Sequence, residues 1–129
     1  MVMEEISQLI EDCNVKREVL IEYREKINLM QKQLLKFAAL SLPKEDLTDL
    51  ERFQNQFHIQ LINIHDLRHD LKVYQHRVKA ESHFDDGVTT ETRNKHKDLV
   101  SQYDILENLL SNLETDFSEF LGKPADVEA

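Results

Sequence analysis

Apolar residues recur every seven positions along nearly the whole chain. Over residues 3–41, Ile6, Cys13, Leu20, Ile27 and Leu34 form one line. Leu9, Tyr23, Met30 and Phe37 form a second, three residues on and interrupted by Lys16. Over 44–83, Leu50, Phe57, Ile64, Leu71 and Val78 are an unbroken line with Phe53, Leu67 and Tyr74 beside it. Over 89–121, Leu99, Leu106, Leu113 and Phe120 pair with Tyr103, Leu110 and Phe117. Paired apolar positions held at this period predict helices whose buried stripes wind slowly around their axes, as in coiled-coil-like packing.

The helix breakers fall between these segments. Pro43, Gly87 and the pair Gly122 and Pro124 are all the glycines and prolines in the chain. Pro43 suits a first helical turn, and Glu45 and Asp46 face the positive end of that helix. A later start is offered by Thr48 and Glu51, which have capping-box spacing. Asp85-Asp86-Gly87 reads as a turn, with Thr89 or Thr90 as the next N-cap. Gly122 and Pro124 read as a stop. The expectation is an all-α, up-down-up antiparallel three-helix bundle over 1–122, with helices at about 3–41, 44–83 and 89–121 and a flexible C-terminal tail over 123–129. In outline this resembles three-helix interaction modules such as spectrin-type repeats. The tryptophan typical of those repeats is absent, and no motif of any one family is present.

Charge narrows the partners. The 129 residues carry 25 Asp and Glu against 16 Lys and Arg, a net charge of −9. Nucleic-acid binding needs clustered Lys and Arg to replace phosphate counterions, and no segment here is net basic. The densest basic run, Arg93-Asn94-Lys95-His96-Lys97, is followed at once by Asp98 and reads as a solvated first turn. No apolar run approaches the roughly 20 residues that span a bilayer. With a single Cys, neither a disulfide framework nor a multi-Cys zinc site can form. The expected setting is the cytoplasm, without membrane or nucleic acid.

Histidine is unusually placed. His58, His65, His69, His76 and His83 follow one another on the second helix at intervals that put them on one stripe, on its flank and back. His65-Asp66-Leu67-Arg68-His69 resembles the zinc-protease pattern H-E-x-x-H with Asp for Glu. The third ligand and open coordination position that such catalysis needs are missing, so His65 and His69 are only weak metal candidates. Antiparallel register also brings Cys13, His76 and His96 to similar heights, although Cys13 reads as core filling. No nucleophile has a neighbouring base, and two glycines cannot build a phosphate-binding loop. The chain is therefore expected to be no enzyme and to need no cofactor. Lys16, Gln54 and Arg68 are the polar residues that interrupt the apolar lines, where a ligand pocket would need its gap.

A further irregularity is apolar. Ile59, Ile62 and Val73 lie opposite the buried stripe of the second helix, interleaved with the histidines. Val15, Leu29, Leu35, Val100 and Ile105 also lie off the main lines of their helices. The expected function is thus protein–protein interaction or self-assembly, with Ile59, Ile62, His65, His69 and Val73 as interface and a homodimer mate or a helix of another protein as partner. The alternative is a small metal-binding or pH-responsive bundle that uses the histidine stripe.

Overall fold

The structure, a computed structural model, describes residues 2–40, 43–84 and 87–128, and the side chains among these from 3 to 122. It is an all-α bundle of three helices: α1 (Val2–Ala38), α2 (Lys44–Glu81) and α3 (Thr90–Glu128). At a rise of about 1.5 Å per residue, each is roughly 55–60 Å long.

Contacts fix the directions. Gln75, late in α2, reaches Ile10 and Asn14, early in α1. Tyr74 reaches Thr92, early in α3. At the other end, Phe53 of α2 packs on Phe117 and Phe120 of α3, and Phe37 of α1 packs on Phe120. So α2 runs antiparallel to both neighbours. The short connections at 39–43 and 82–89 leave no room for another arrangement.

The core follows the heptad lines. Cys13, Leu20, Ile27, Phe57, Ile64, Leu71, Val78, Leu99 and Phe117 are essentially inaccessible. Each such side chain contributes about 1.5–3 kcal/mol of transfer free energy. Five aromatic rings, Phe37, Phe53, Phe57, Phe117 and Phe120, close one end with centroids 5.0–6.4 Å apart. Lys16, the break in the second line of α1, stays at its rim. Its ammonium lies 2.6 Å from Asp12 and 5.1 Å from the centre of the Tyr103 ring, so its stem is buried while its charge is satisfied.

At the helix ends two alternatives are resolved and one expectation fails. α2 starts at Lys44, and Thr48 lies inside it with its hydroxyl donating back to the Lys44 carbonyl, so the Thr48–Glu51 capping box is not used. Thr89 rather than Thr90 caps α3, its Oγ1 accepting the Thr92 amide at 3.1 Å. The stop expected at Gly122 and Pro124 is not made, because α3 continues to Glu128. Among the described residues only Gly87 takes a positive φ, 71°, so Gly122 does not supply the left-handed residue that ends a helix. Ser41, Leu42, Asp85, Asp86 and Ala129 lie outside the described residues, as do the side chains of the expected tail.

Polar burial is also placed differently. Gln54 is exposed and Arg68 only half-buried, whereas Gln60, Gln75, Glu81 and Thr92 are buried. Gln75 is held by donating to the Ile10 carbonyl at 3.0 Å and to Asn14 Oδ1 at 2.7 Å, while its own Oε1 accepts from Arg17 at 2.9 Å. An amide saturated in this way fixes the register of α2 against α1.

Candidate functional site

Helical periodicity puts Ile59, Ile62, His65, His69 and Val73 on the side of α2 facing away from Phe57, Ile64 and Leu71. All five are exposed, Ile59 by 45%, Ile62 by 48% and Val73 by 53%. Single exposed apolar residues are ordinary, but three within four turns of one helix face are a patch.

The neighbouring helices divide this stripe into two edges. Val73 belongs to the α2–α3 side, where with Asp70, Tyr74, Arg77 and Lys95 it lines a cleft of about 240 Å³. Asp70 also borders an adjoining cleft of about 270 Å³ floored by Leu67 and Leu106 and flanked by Ile105 and Leu109. The two clefts share Asp70 and lie one after the other along the groove between α2 and α3. Ile105 and Leu109 are 60% and 48% exposed and make the α3 bank apolar, whereas the α2 bank carries Asn63, Asp66 and Asp70, with Val73 in the adjoining cleft. Of these two, the sequence singled out only Ile105. Leu109 falls outside the heptad pairs, and its place in the groove appears only once α2 and α3 are set in register.

His65 and His69 belong to the opposite edge. There they line a cleft of about 170 Å³ between α1 and α2, together with Arg17, Arg68 and Lys72. Three fixed cations beside two imidazoles disfavour a divalent metal at His65 and His69. Among the described residues, no group of three His, Cys, Asp or Glu side chains is placed to hold a metal ion.

The Cys13, His76 and His96 grouping does not come together as a site. His76 is exposed, on the outer side of α2. Cys13 is wholly buried, and burial together with the nearby Asp12 charge pushes its thiol up to about 11. His96 instead meets Asp12, with Nε2 2.9 Å from Oδ2, while Lys16 holds the other oxygen. Burial would raise the Asp12 carboxyl, but these two partners outweigh it and hold it below its ordinary value. With Arg93 and Glu5 at 2.7 Å, this pair ties α3 to α1 at the end where the chain enters the bundle.

Among the described residues, no helix is long and apolar enough to cross a membrane. Comparison with protein-family models, with curated proteins and with solved structures finds no match to the chain.

Proposed function

We propose that the protein is a non-enzymatic helical interaction module of the cytoplasm, which docks a helix of another protein, or of a second copy, on the outer face of α2 and its groove with α3. The observation that carries this reading is the set of half-exposed apolar side chains Ile59, Ile62, Val73, Ile105 and Leu109, gathered on one side of a chain whose net charge is −9. From Ile59 to Val73 the ridge is roughly 21 Å long, enough for about four turns of a partner helix. Burying what remains exposed of five such side chains gives on the order of 5 kcal/mol. Association costs at least about 4 kcal/mol, so the apolar ridge alone makes a weak complex and polar contacts at its edges must add to it. Asp70, Arg77 and Lys95 stand at one end of the groove in position to do so. The buried, high-pKa thiol of Cys13 supports the non-enzymatic part of the reading.

The test is light scattering of the untagged protein, with recovery of any co-purifying protein, for the wild type and Ile62→Asp. An assembly or a bound partner that Ile62→Asp abolishes is expected. A wild type that stays monomeric and carries no partner overturns the reading.

A further inference from the structure

We infer that the cleft between α1 and α2 bounded by Arg17, His65, Arg68, His69 and Lys72 is a binding site for a small phosphate-class oxyanion. Four observations meet there. First, the cleft gathers three fixed positive charges and two imidazoles in a chain that is strongly acidic overall. Second, those charges lack protein counterions. Among the described residues, Arg17, Arg24 and Arg68 make no ion pair, whereas the other three arginines, Arg52, Arg77 and Arg93, each reach a carboxylate; Lys72, like most of the lysines, is also unpaired. Third, the Nε atoms of Arg17 and Arg68 are buried with no protein hydrogen-bond partner, so the bundle itself does not fully satisfy either guanidinium group. Fourth, Arg17 is held in place. Its Nη1 donates to Gln75 Oε1, and Gln75 is itself fixed to Ile10 and Asn14.

The electrostatics run the same way. Burial and the positive charges of Arg24 and Arg17 make it harder for Arg68 to keep its proton. Like charges are thus held together at a structural cost that an anion would remove. A phosphate oxyanion suits guanidinium groups because it can accept two parallel N–H bonds from one fork. Lys72 adds a point charge, and the imidazoles of His65 and His69 can each present an N–H donor. At about 170 Å³ the cleft holds about five or six waters' volume. That is below the roughly 300 Å³ at which pockets begin to take whole drug-sized ligands, so the site takes the anionic group and leaves the rest of any larger molecule outside. This inference stands apart from the docking of a helix on the α2–α3 side.

The test is calorimetric titration of the full chain with inorganic phosphate, with succinate as a carboxylate dianion and with oligoglutamate as an acidic peptide. Variants are Arg68→Gln, Lys72→Gln and, as a remote control, Lys97→Gln. Saturable one-site binding of phosphate is expected, stronger than that of succinate. Arg68→Gln should weaken it roughly tenfold or more, since hydrogen bonds to charged groups carry about that factor. Lys97→Gln should change it less than about twofold. If Arg68→Gln does not fold, the exposed Lys72→Gln carries the comparison. Ile105→Asp, on α3 and outside this cleft, should leave phosphate binding unchanged, which separates this result from the docking experiment. Absence of saturation, equal binding by Arg68→Gln or Lys72→Gln and the wild type, or succinate matching phosphate overturns the proposal. Binding of oligoglutamate without phosphate overturns it in favour of an acidic protein partner.

Discussion

Glu81, the last residue of α2, accepts a 2.6 Å hydrogen bond from the hydroxyl of Thr92, in the first turn of α3. The same carboxylate accepts the Thr89 amide at 2.7 Å and Arg77 Nε at 3.1 Å. Thr89 Oγ1 in turn accepts the Thr92 amide and donates its hydroxyl to Thr92 Oγ1. In an ordinary capping box, the carboxylate that satisfies the N-cap amide comes from the third residue of the same helix. Here that residue is Thr92, and the preceding helix supplies the carboxylate instead. The cap of α3 and the end of α2 are therefore one network, which sets the angle at which the chain turns.

This network makes Thr92→Val a sharp substitution. The shape is kept, but the hydroxyl that joins Thr89 to Glu81 is lost, and Thr92 is wholly buried. Leaving a buried polar partner unmatched costs about 1–3 kcal/mol. Urea unfolding followed by circular dichroism at 222 nm should show that loss, whereas Thr90→Val, at an exposed position, should stay within about 0.5 kcal/mol.

Acid should act through the same carboxylate. Burial would raise Glu81, but the hydrogen bonds from Thr92, Thr89 and Arg77 outweigh it and bring the group from 4.5 to about 2. A depressed folded-state pKa means stability that is fully present above the unfolded value and lost as pH falls through the folded one. Its contribution is on the order of 3 kcal/mol. Stability measured by denaturant titration should therefore decline between about pH 4.5 and pH 2. In Glu81→Gln the decline over that window should be smaller, from a lower starting stability at pH 7.

Cys13 should be inert in the folded protein. Its thiol is wholly buried and pushed up to about 11, so little thiolate exists near pH 8 and reagents cannot reach it. Alkylation by iodoacetamide, read by intact mass, should be slow in native buffer and rapid in urea, following the opening of the bundle. Equal rates in the two conditions would place Cys13 outside the core.

What the sequence makes legible follows from period. Leu20, Ile27, Phe57, Ile64, Leu106 and Leu110 sit on seven-residue lines, and all are buried. Helix order and turns follow from Pro43 and Gly87. The end of α3 does not, because a glycine and a proline near a helix end permit a stop without requiring one. Buried polar positions are harder still. Gln75 and Glu81 read as ordinary surface residues until Asn14 and Thr92 are brought to them from other helices. The same holds for the basic cleft: Arg17 and Arg68 are 51 positions apart in the chain and become neighbours only through the α1–α2 register. The outer stripe is legible as a face, but its division into an edge beside α3 and a basic edge beside α1 depends on which helix lies on each side.

That division gives the last prediction. If a helix docks along α2 and α3 together, its contact must include both banks of the groove. Ile105, 60% exposed on α3, then matters as much as Ile62 on α2, although the two belong to different helices. Ile105→Asp should raise the dissociation constant of the assembly or partner complex at least about tenfold, a change of about 1.4 kcal/mol. Because the side chain is largely in solvent, folding stability should move by no more than about 0.5 kcal/mol. Leu29→Asp provides the comparison, since Leu29 is 58% exposed but lies by the α1–α3 cleft. It should leave assembly unchanged. Sedimentation or light scattering across a concentration series measures all three. If Ile62→Asp disrupts assembly while Ile105→Asp does not, the partner lies on α2 alone and leaves the groove empty. If Leu29→Asp disrupts it as well, the contact is general apolar association and the groove has no special part in it.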